Sequence, residues 1–501
     1  MELTEEGDVV DSGENSQSLP FRVAIIGAGF SGLAAAVALR KQGIDFEVFE
    51  EAEGIGGTWW KNRYPGAEVD LESIIYSFSF ARHDWTRTHA TWDELQRYLE
   101  EVADTWQVTP HVHFKERVHS AQWSEADGGY RLATSNETDH GIFQGLISAV
   151  GFLNVPIVPP FATTDHQFPG TVCHTASWPD GLSMDGQSVA VVGTGSSAVQ
   201  IVEAAVSTAR DVTIYQLEPN WLLPKLSRPL TDVERRGNRR WLTYWFRRGA
   251  MYWDYDRRQD RTQHARLNGR AHRRRHAMSL DFLHKSLADR PDLIELVTPE
   301  FPFEGRRTVV SDTYYPSLKD PKVTLIPRGV NALTPAGVQD SSGEIRSFDV
   351  VVLATGFDAA NYLSNLQVIG RAGQNLHERW GREPEAFYGM MVPDFPNFFM
   401  MYGPNTNAIP LVTFYQTQAS FIAKTLSRVR RKGYHSVEVK TAAFRRFNDL
   451  LQRQLAKTVW AQTESYFKAG TGKVVTQWPF SATRYILGTK VARHTSLKYQ
   501  R

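Results

Sequence analysis

Two glycine-rich turns, each following a short apolar run and opening an alanine-rich helical stretch, limit what this chain can fold into. The first is Gly27-Ala28-Gly29-Phe30-Ser31-Gly32, after Val23–Ile26; the second is Gly193-Thr194-Gly195-Ser196-Ser197-Ala198, within Ser188–Ala205. An uninterrupted apolar run of this length reads as a buried parallel strand. Glycines at this spacing let backbone N–H groups approach a pyrophosphate at a helix N-terminus. A lone motif of this kind is weak. The first gains force from its context, because the helical stretch ends near Gly43 and the next strand ends at Glu50, placed to accept bonds from ribose hydroxyls. The strand after the second loop, DVTIYQ, ends at Gln216. Two such units imply two nucleotide cofactors and therefore electron transfer.

Composition narrows the class. A net charge of +1 leaves no global field to attract nucleic acid or a membrane. The single cysteine, Cys173, excludes both a disulfide framework and a redox-active cysteine pair, and it fits a reducing, cytoplasmic setting. Residues 1–20 are acidic, rich in Ser and Gly, and lack the apolar stretch of a signal peptide, so they are expected to form a disordered tail. No run reaches the roughly 18 apolar residues of a membrane span, and the closing LKYQR carries no retention or peroxisomal address. No metal site is expected.

Between the loops lies Phe168-Pro169-Gly170-Thr171-Val172-Cys173-His174-Thr175-Ala176-Ser177-Trp178-Pro179. Phe168, Gly170, His174, Trp178 and Pro179 resemble the F-x-G-x-x-x-H-x-x-x-W-P fingerprint of type I Baeyer–Villiger monooxygenases, a class of flavin-dependent oxygenases. The resemblance is global. It includes Gly56-Gly57-Thr58-Trp59, Arg63-Tyr64-Pro65-Gly66 and Asp70, then Gly305-Arg306-Arg307 before Tyr314-Tyr315, Ala354-Thr355-Gly356, and Trp478-Pro479.

The resemblance implies FAD at the first loop, held by Gly27, Gly29, Phe30, Ser31, Gly32 and Glu50, with Gly57, Thr58, Trp59, Tyr64, Asp70 and Tyr76 along the flavin. It implies a nicotinamide coenzyme at Gly193, Gly195, Ser196, Ser197, Gln216 and Arg306. Arg307 falls on the position of an active-site arginine, which stabilises the anion formed when oxygen reacts at the reduced flavin, and Asp70 would hold that guanidinium. Taken alone, Asp70 reads equally well as a helix N-cap and the arginine pair as surface charge. His174 and Trp178 are expected to serve the linker between domains as hinge residues rather than as acid and base. Cys173 is expected to be a buried apolar residue.

Two departures from the family pattern stand out. The strand ending in Gln216 usually continues with an arginine that pairs with the 2′-phosphate of NADPH; here Leu217 and Glu218 follow. NADPH held by Arg306 and the serines, NADH read by Glu218, and a weakened nicotinamide site all remain open. Near the C-terminus, Ser465-Tyr466-Phe467 stands where Ser-Trp-Tyr is common.

The fold expected is α/β, with two dinucleotide-binding Rossmann-like domains. The FAD domain is discontinuous, over 21–160 and 376–501. The nicotinamide domain covers 165–375, with a helical insertion at 222–304. That insertion is rich in arginine and aromatic residues. It is expected to present a solvated basic face and turn its aromatics toward a pocket, over nucleic-acid or membrane-surface contact. The activity expected is insertion of one oxygen atom of O2 beside a ketone carbonyl, giving an ester or lactone. A bulky apolar ketone, such as a secondary-metabolite skeleton, suits the aromatic insertion. Oxidation of nitrogen or sulfur, or a flavoprotein reductase or dehydrogenase without oxygen insertion, are the alternatives.

Overall fold

The computed structural model describes residues 21–163, 167–258 and 266–501; the expected tail at 1–20 lies outside them. Two parallel five-stranded sheets share one plan. In the first, Arg22–Ile26 is central, with Asp45–Phe49 and Val112–His113 on one side and Gly145–Ser148 and Phe398–Met400 on the other. In the second, Ser188–Val192 is central, with Asp211–Tyr215 and Val323–Ile326 on one side and Val350–Leu353 and Thr171–His174 on the other. The outermost strand of the first sheet comes from late in the chain, so that body is discontinuous.

The fingerprint stretch is therefore not all linker. Its Thr171–His174 segment is an edge strand of the second sheet, in register with Val350–Leu353. Its β-branched Thr171 and Val172 supply β-propensity for this place. The chain also returns to the first body earlier than the expected boundary at 375. Gln367–Ile369 already pairs with Ser120–Gln122 of the hairpin Val118–Ser124/Gly129–Thr134.

Each glycine loop backs onto the strand that enters beside it. A Cβ on Gly27 (φ +103°) would lie 2.8 Å from the Ala149 carbonyl oxygen, and one on Gly193 (φ +122°) would lie 2.5 Å from that of Ala354. Both positions combine a backbone conformation that disfavours side chains with a close approach. The two crossover segments are joined to each other. Ile157 N–H donates to the Gly356 carbonyl, Asp358 N–H to that of Val155, and the Thr355 hydroxyl to that of Ile157.

The insertion is helical, with Asp232–Arg239, Trp241–Arg258, Arg270–Ser286 and Pro291–Val297. It docks through polar anchors. Arg248 is buried and donates to the Ser77 carbonyl at 2.7 Å and to the Ile74 carbonyl. Arg235 and Arg239 share Asp84, and Asp256 accepts from the Thr483 hydroxyl at 2.7 Å. Of the insertion's aromatics, Tyr244 is buried, whereas Trp241, Phe246 and Trp253 face solvent, against the expectation that they turn toward a pocket. Among the described residues, no helix is long and apolar enough to cross a membrane.

Candidate active site

The helices after the two loops, Phe30–Arg40 and Ser196–Thr208, begin at Gly29 and Gly195 without a side-chain cap. A helix left uncapped presents free N–H groups and the positive end of its dipole. The helix at Asp232–Arg239 contrasts with them, because Thr231 and Glu234 close it with a full capping box. A Cβ on Gly195 would meet nothing within 4 Å, whereas one on Gly32 would fall 1.9 Å from the Gly27 carbonyl oxygen. One glycine leaves open room above a helix N-terminus and the other lets the helix press against its own loop. These features fit pyrophosphates at both places.

Glu50 is buried at the end of its strand, and its carboxylate accepts from Ala28 N–H at 2.7 Å and Ala52 N–H at 2.9 Å. Burial raises its pKa, and the two backbone N–H bonds oppose that shift. A carboxylate held this way fits the ribose contact that the resemblance implies. The Ser31 hydroxyl donates to the Ala149 carbonyl at 3.2 Å. Phe30 packs edge-on against Tyr76, with centroids 5.1 Å apart, and Trp59 Nε1 donates to the Tyr76 hydroxyl at 3.3 Å. Gly57 lies against Gly29: a Cβ on it would be 2.9 Å from the Gly29 Cα. Thr58 is exposed at the start of the short helix Thr58–Lys61.

Asp70 and Arg307, 237 positions apart, form a direct ion pair through Oδ2 and Nη2. The N-cap and surface-charge alternatives are thereby displaced, because each residue finds its partner in the other. Tyr64, Tyr76, Tyr402 and Tyr466 crowd the pair, and the Tyr466 hydroxyl bonds Arg307. The Arg307 side chain is partly exposed, at 44%. Desolvation opposes its charge, but attraction to Asp70 and Tyr466 outweighs that, and its pKa is raised. The guanidinium is thus a fixed cation that does not lose its proton. Burial also pushes the Tyr64 and Tyr76 hydroxyls up to about 12, so both stay neutral donors.

Tyr64 links the two bodies. Its hydroxyl donates to Gln200 Oε1 at 2.7 Å and lies 3.2 Å from Ser197 Oγ, in the first turns of the second nucleotide helix. Around Asp70 the extended segment sends alternate carboxylates to separate elements. Glu68 pairs with Lys225 at 2.5 Å, Asp70 with Arg307, and Glu72 accepts from the Tyr255 hydroxyl. Sequence reasoning found only Asp70 among these three. Period-two spacing of Glu68, Asp70 and Glu72 was the available signal. Tyr402 was also missed as a site residue, and Tyr466 was noted only as a departure from the family pattern; Tyr402 sits at φ +58°, a backbone strain that no sequence pattern announces.

The second loop keeps a different arrangement. Gln216 occupies the register of Glu50, one residue past the strand end, but its amide is turned inward to the Leu296 carbonyl at 2.7 Å. Leu217 is 80% exposed. Glu218 takes the mouth of the loop: its carbonyl accepts from the Thr194 hydroxyl at 2.6 Å and its carboxylate pairs with Arg306. Arg306 also donates to the Glu464 carbonyl at 3.0 Å and stacks over Phe301. Ser196 opens the second helix beside it.

His174 is buried, accepts at Nδ1 from Ala176 N–H at 3.1 Å, and meets Phe357 edge-on. Burial lowers its pKa. It is a neutral packing residue on the edge strand Thr171–His174, beside the joined crossovers. Because the unfolded chain protonates first, its contribution is complete above about pH 6.5 and is lost as pH falls toward the lowered folded value. Denaturant midpoints followed from about pH 7.5 to 5.5 should fall less steeply in His174→Gln than in the parent; identical slopes would remove His174 from this role.

Two matching nucleotide sheets with a clamped guanidinium where they meet define a dinucleotide-dependent oxidoreductase. The family model described as pyridine nucleotide-disulphide oxidoreductase matches residues 24–236. Cys173 is the chain's single cysteine and burial pushes its thiol up to about 12, so the scaffold is shared without that family's cysteine pair. A Baeyer–Villiger monooxygenase of Pseudomonas aeruginosa is 33% identical over 472 residues, 93% of this chain and 88% of that protein. One from Streptomyces coelicolor is 33% identical over 475 residues, 93% and 90% of the two chains. The solved structure of an oxidized steroid monooxygenase bound to NADP superposes with a TM-score of 0.87 at 26% identity, covering 96% of this chain and 99% of that one. The chain belongs to the Baeyer–Villiger monooxygenases, flavin-dependent enzymes that use a nicotinamide coenzyme to insert oxygen beside a carbonyl.

Proposed function

We propose that this protein binds FAD at the Gly27–Gly32 loop and a nicotinamide coenzyme at the Gly193–Ala198 loop, and converts a ketone to an ester or lactone. The Asp70–Arg307 pair carries this reading: a charge-locked guanidinium stands near Tyr64, whose hydroxyl bonds Gln200 of the second nucleotide helix. FAD held at Gly27, Gly29, Gly32 and Glu50 would supply the redox chemistry that couples the nicotinamide to O2. Arg307 then offers fixed positive charge to anionic oxygen developing in the cleft. Asp70 holds that charge in place and limits its pull. Tyr64 and Tyr76 are neutral donors on the same wall. Oxidation of nitrogen or sulfur has less need of a charge held this firmly.

The FAD body comprises 21–160 and the C-terminal part. That part runs over 376–501, with the pairing of Gln367–Ile369 to Ser120–Gln122 favouring a somewhat earlier return. The nicotinamide body follows residue 165 and carries the insertion at 222–304. A bulky apolar ketone remains the substrate class, and the cytoplasm the setting that the single unpaired cysteine fits. Incubating the flavin-loaded protein with NADPH, O2 and a cyclic ketone tests the reading. Lactone formed in step with coenzyme oxidation supports it; hydrogen peroxide with unchanged ketone overturns it.

Coenzyme choice rests on Glu218 and Arg306. While Arg306 is paired, a 2′-phosphate must compete with a carboxylate for it. Both side chains are partly exposed, so water screens the pair and the competition is modest. Glu218→Gln is expected to tighten binding of 2′,5′-ADP by roughly three- to tenfold relative to 5′-AMP in calorimetric titration. An unchanged ratio would show that Glu218 does not govern the 2′ position.

A further inference from the structure

The helix Trp241–Arg258 is amphipathic in the wrong sense for a protein core. Its inner face holds Tyr244 and Arg248, both buried and tied to the first body. Its outer face carries Leu242, Phe246, Gly249 and Trp253, the 4-3-4 spacing that places side chains on one stripe. Leu242 is 74%, Phe246 81% and Trp253 60% exposed, and Trp241 beside them is 61% exposed. Single exposed apolar residues are ordinary, but an aligned stripe of large ones marks a contact surface.

The charge around the stripe selects what meets it. Residues 232–258 hold eight arginines against four acidic residues; Arg248 is buried and Arg235 and Arg239 share Asp84, and the others leave this face basic within a chain of net charge +1. Arg236, Arg240 and Arg247 line one groove of about 430 Å³ between this helix and Asp232–Arg239. A second copy docking stripe to stripe would bring two arginine-rich faces together, which costs Coulomb energy. A bilayer carrying anionic headgroups meets both halves of the surface, with Leu, Phe and Trp entering the headgroup–acyl boundary and arginines pairing with phosphates.

We propose that this helix is a docking surface for an anionic lipid bilayer, on which the protein lies without spanning it. An apolar ketone would concentrate in such a bilayer, close to the insertion. The proposal stands apart from the oxygenase reading, because its readout is partition rather than turnover.

The test is cosedimentation of the full flavin-loaded chain with phosphatidylcholine vesicles, with and without about a third phosphatidylserine. The parent protein is expected to partition at least about tenfold better onto the mixed vesicles. Combined Leu242→Ser, Phe246→Ser and Trp253→Ser substitutions should weaken that partition about a hundredfold. Arg236→Gln with Arg240→Gln should weaken it roughly thirtyfold, and only on the anionic vesicles. Flavin absorbance and circular dichroism of these exposed-site variants should match the parent. A parent protein that stays in the supernatant with both vesicles overturns the proposal, as do variants that bind like the parent. A concentration-dependent dimer in light scattering, abolished by the apolar triple variant and accompanied by no vesicle binding, also overturns it and assigns the stripe to a second copy.

Discussion

Arg307→Ala is expected to lower ester formation by roughly 10³-fold while reduction of bound FAD by the nicotinamide continues at a measurable rate. The separation follows from where the charge sits. Arg307 is held by Asp70 and Tyr466, not by either glycine loop. Its loss should leave both nucleotide cradles intact and remove a cation that Asp70 keeps charged against desolvation. Arg307→Lys should recover little, since a lysine presents a point charge without the planar fork and loses its proton more readily on burial. Asp70→Ala should act in the same direction with a smaller effect, because the guanidinium keeps its charge but not its position. Anaerobic reduction followed at the flavin absorbance, with ester measured separately after admitting oxygen, reads the two steps apart. Ester formation at the parental rate in Arg307→Ala would place the catalytic charge elsewhere.

Gly32→Ala is the second large effect. The added Cβ would fall 1.9 Å from the Gly27 carbonyl oxygen, a backbone atom that cannot swing aside. The helix must lift from its loop, and the N–H groups that face a pyrophosphate move with it. The purified variant is expected to retain less than about a tenth of the parental flavin. Gly195→Ala is the contrast. Its Cβ meets no protein atom within 4 Å, so folding and flavin content should be unchanged, while the KM for the nicotinamide coenzyme rises. Full flavin occupancy in Gly32→Ala, or flavin loss in Gly195→Ala, would contradict the assignment of the two loops.

Much of this was legible in the chain because both loops are local. Gly27–Gly32 with Glu50, and Gly193–Ala198 with its strand, place a nucleotide cradle by short-range geometry alone, and the structure places each at a sheet centre. The Asp70–Arg307 pair spans 237 positions and was reached only through resemblance. No local pattern links those residues. Other features escaped for physical reasons. Thr171–His174 reads as linker until its hydrogen-bond partner at Val350–Leu353 is known. Gln216 looks like a ribose contact by register, but tertiary packing turns its amide to Leu296. Aromatic periodicity on Trp241–Arg258 identifies a face without saying which way it points, and the buried Arg248 decides that.

The central claim is that the guanidinium of Arg307, clamped by Asp70, faces the oxygen-accepting side of bound flavin. A crystal structure of the protein with FAD and NADP+ tests it most directly. The account predicts Arg307 in contact with that side of the flavin ring and still paired with Asp70. A ring seated beyond reach of Arg307, or an Asp70–Arg307 pair turned away from it, would contradict the account.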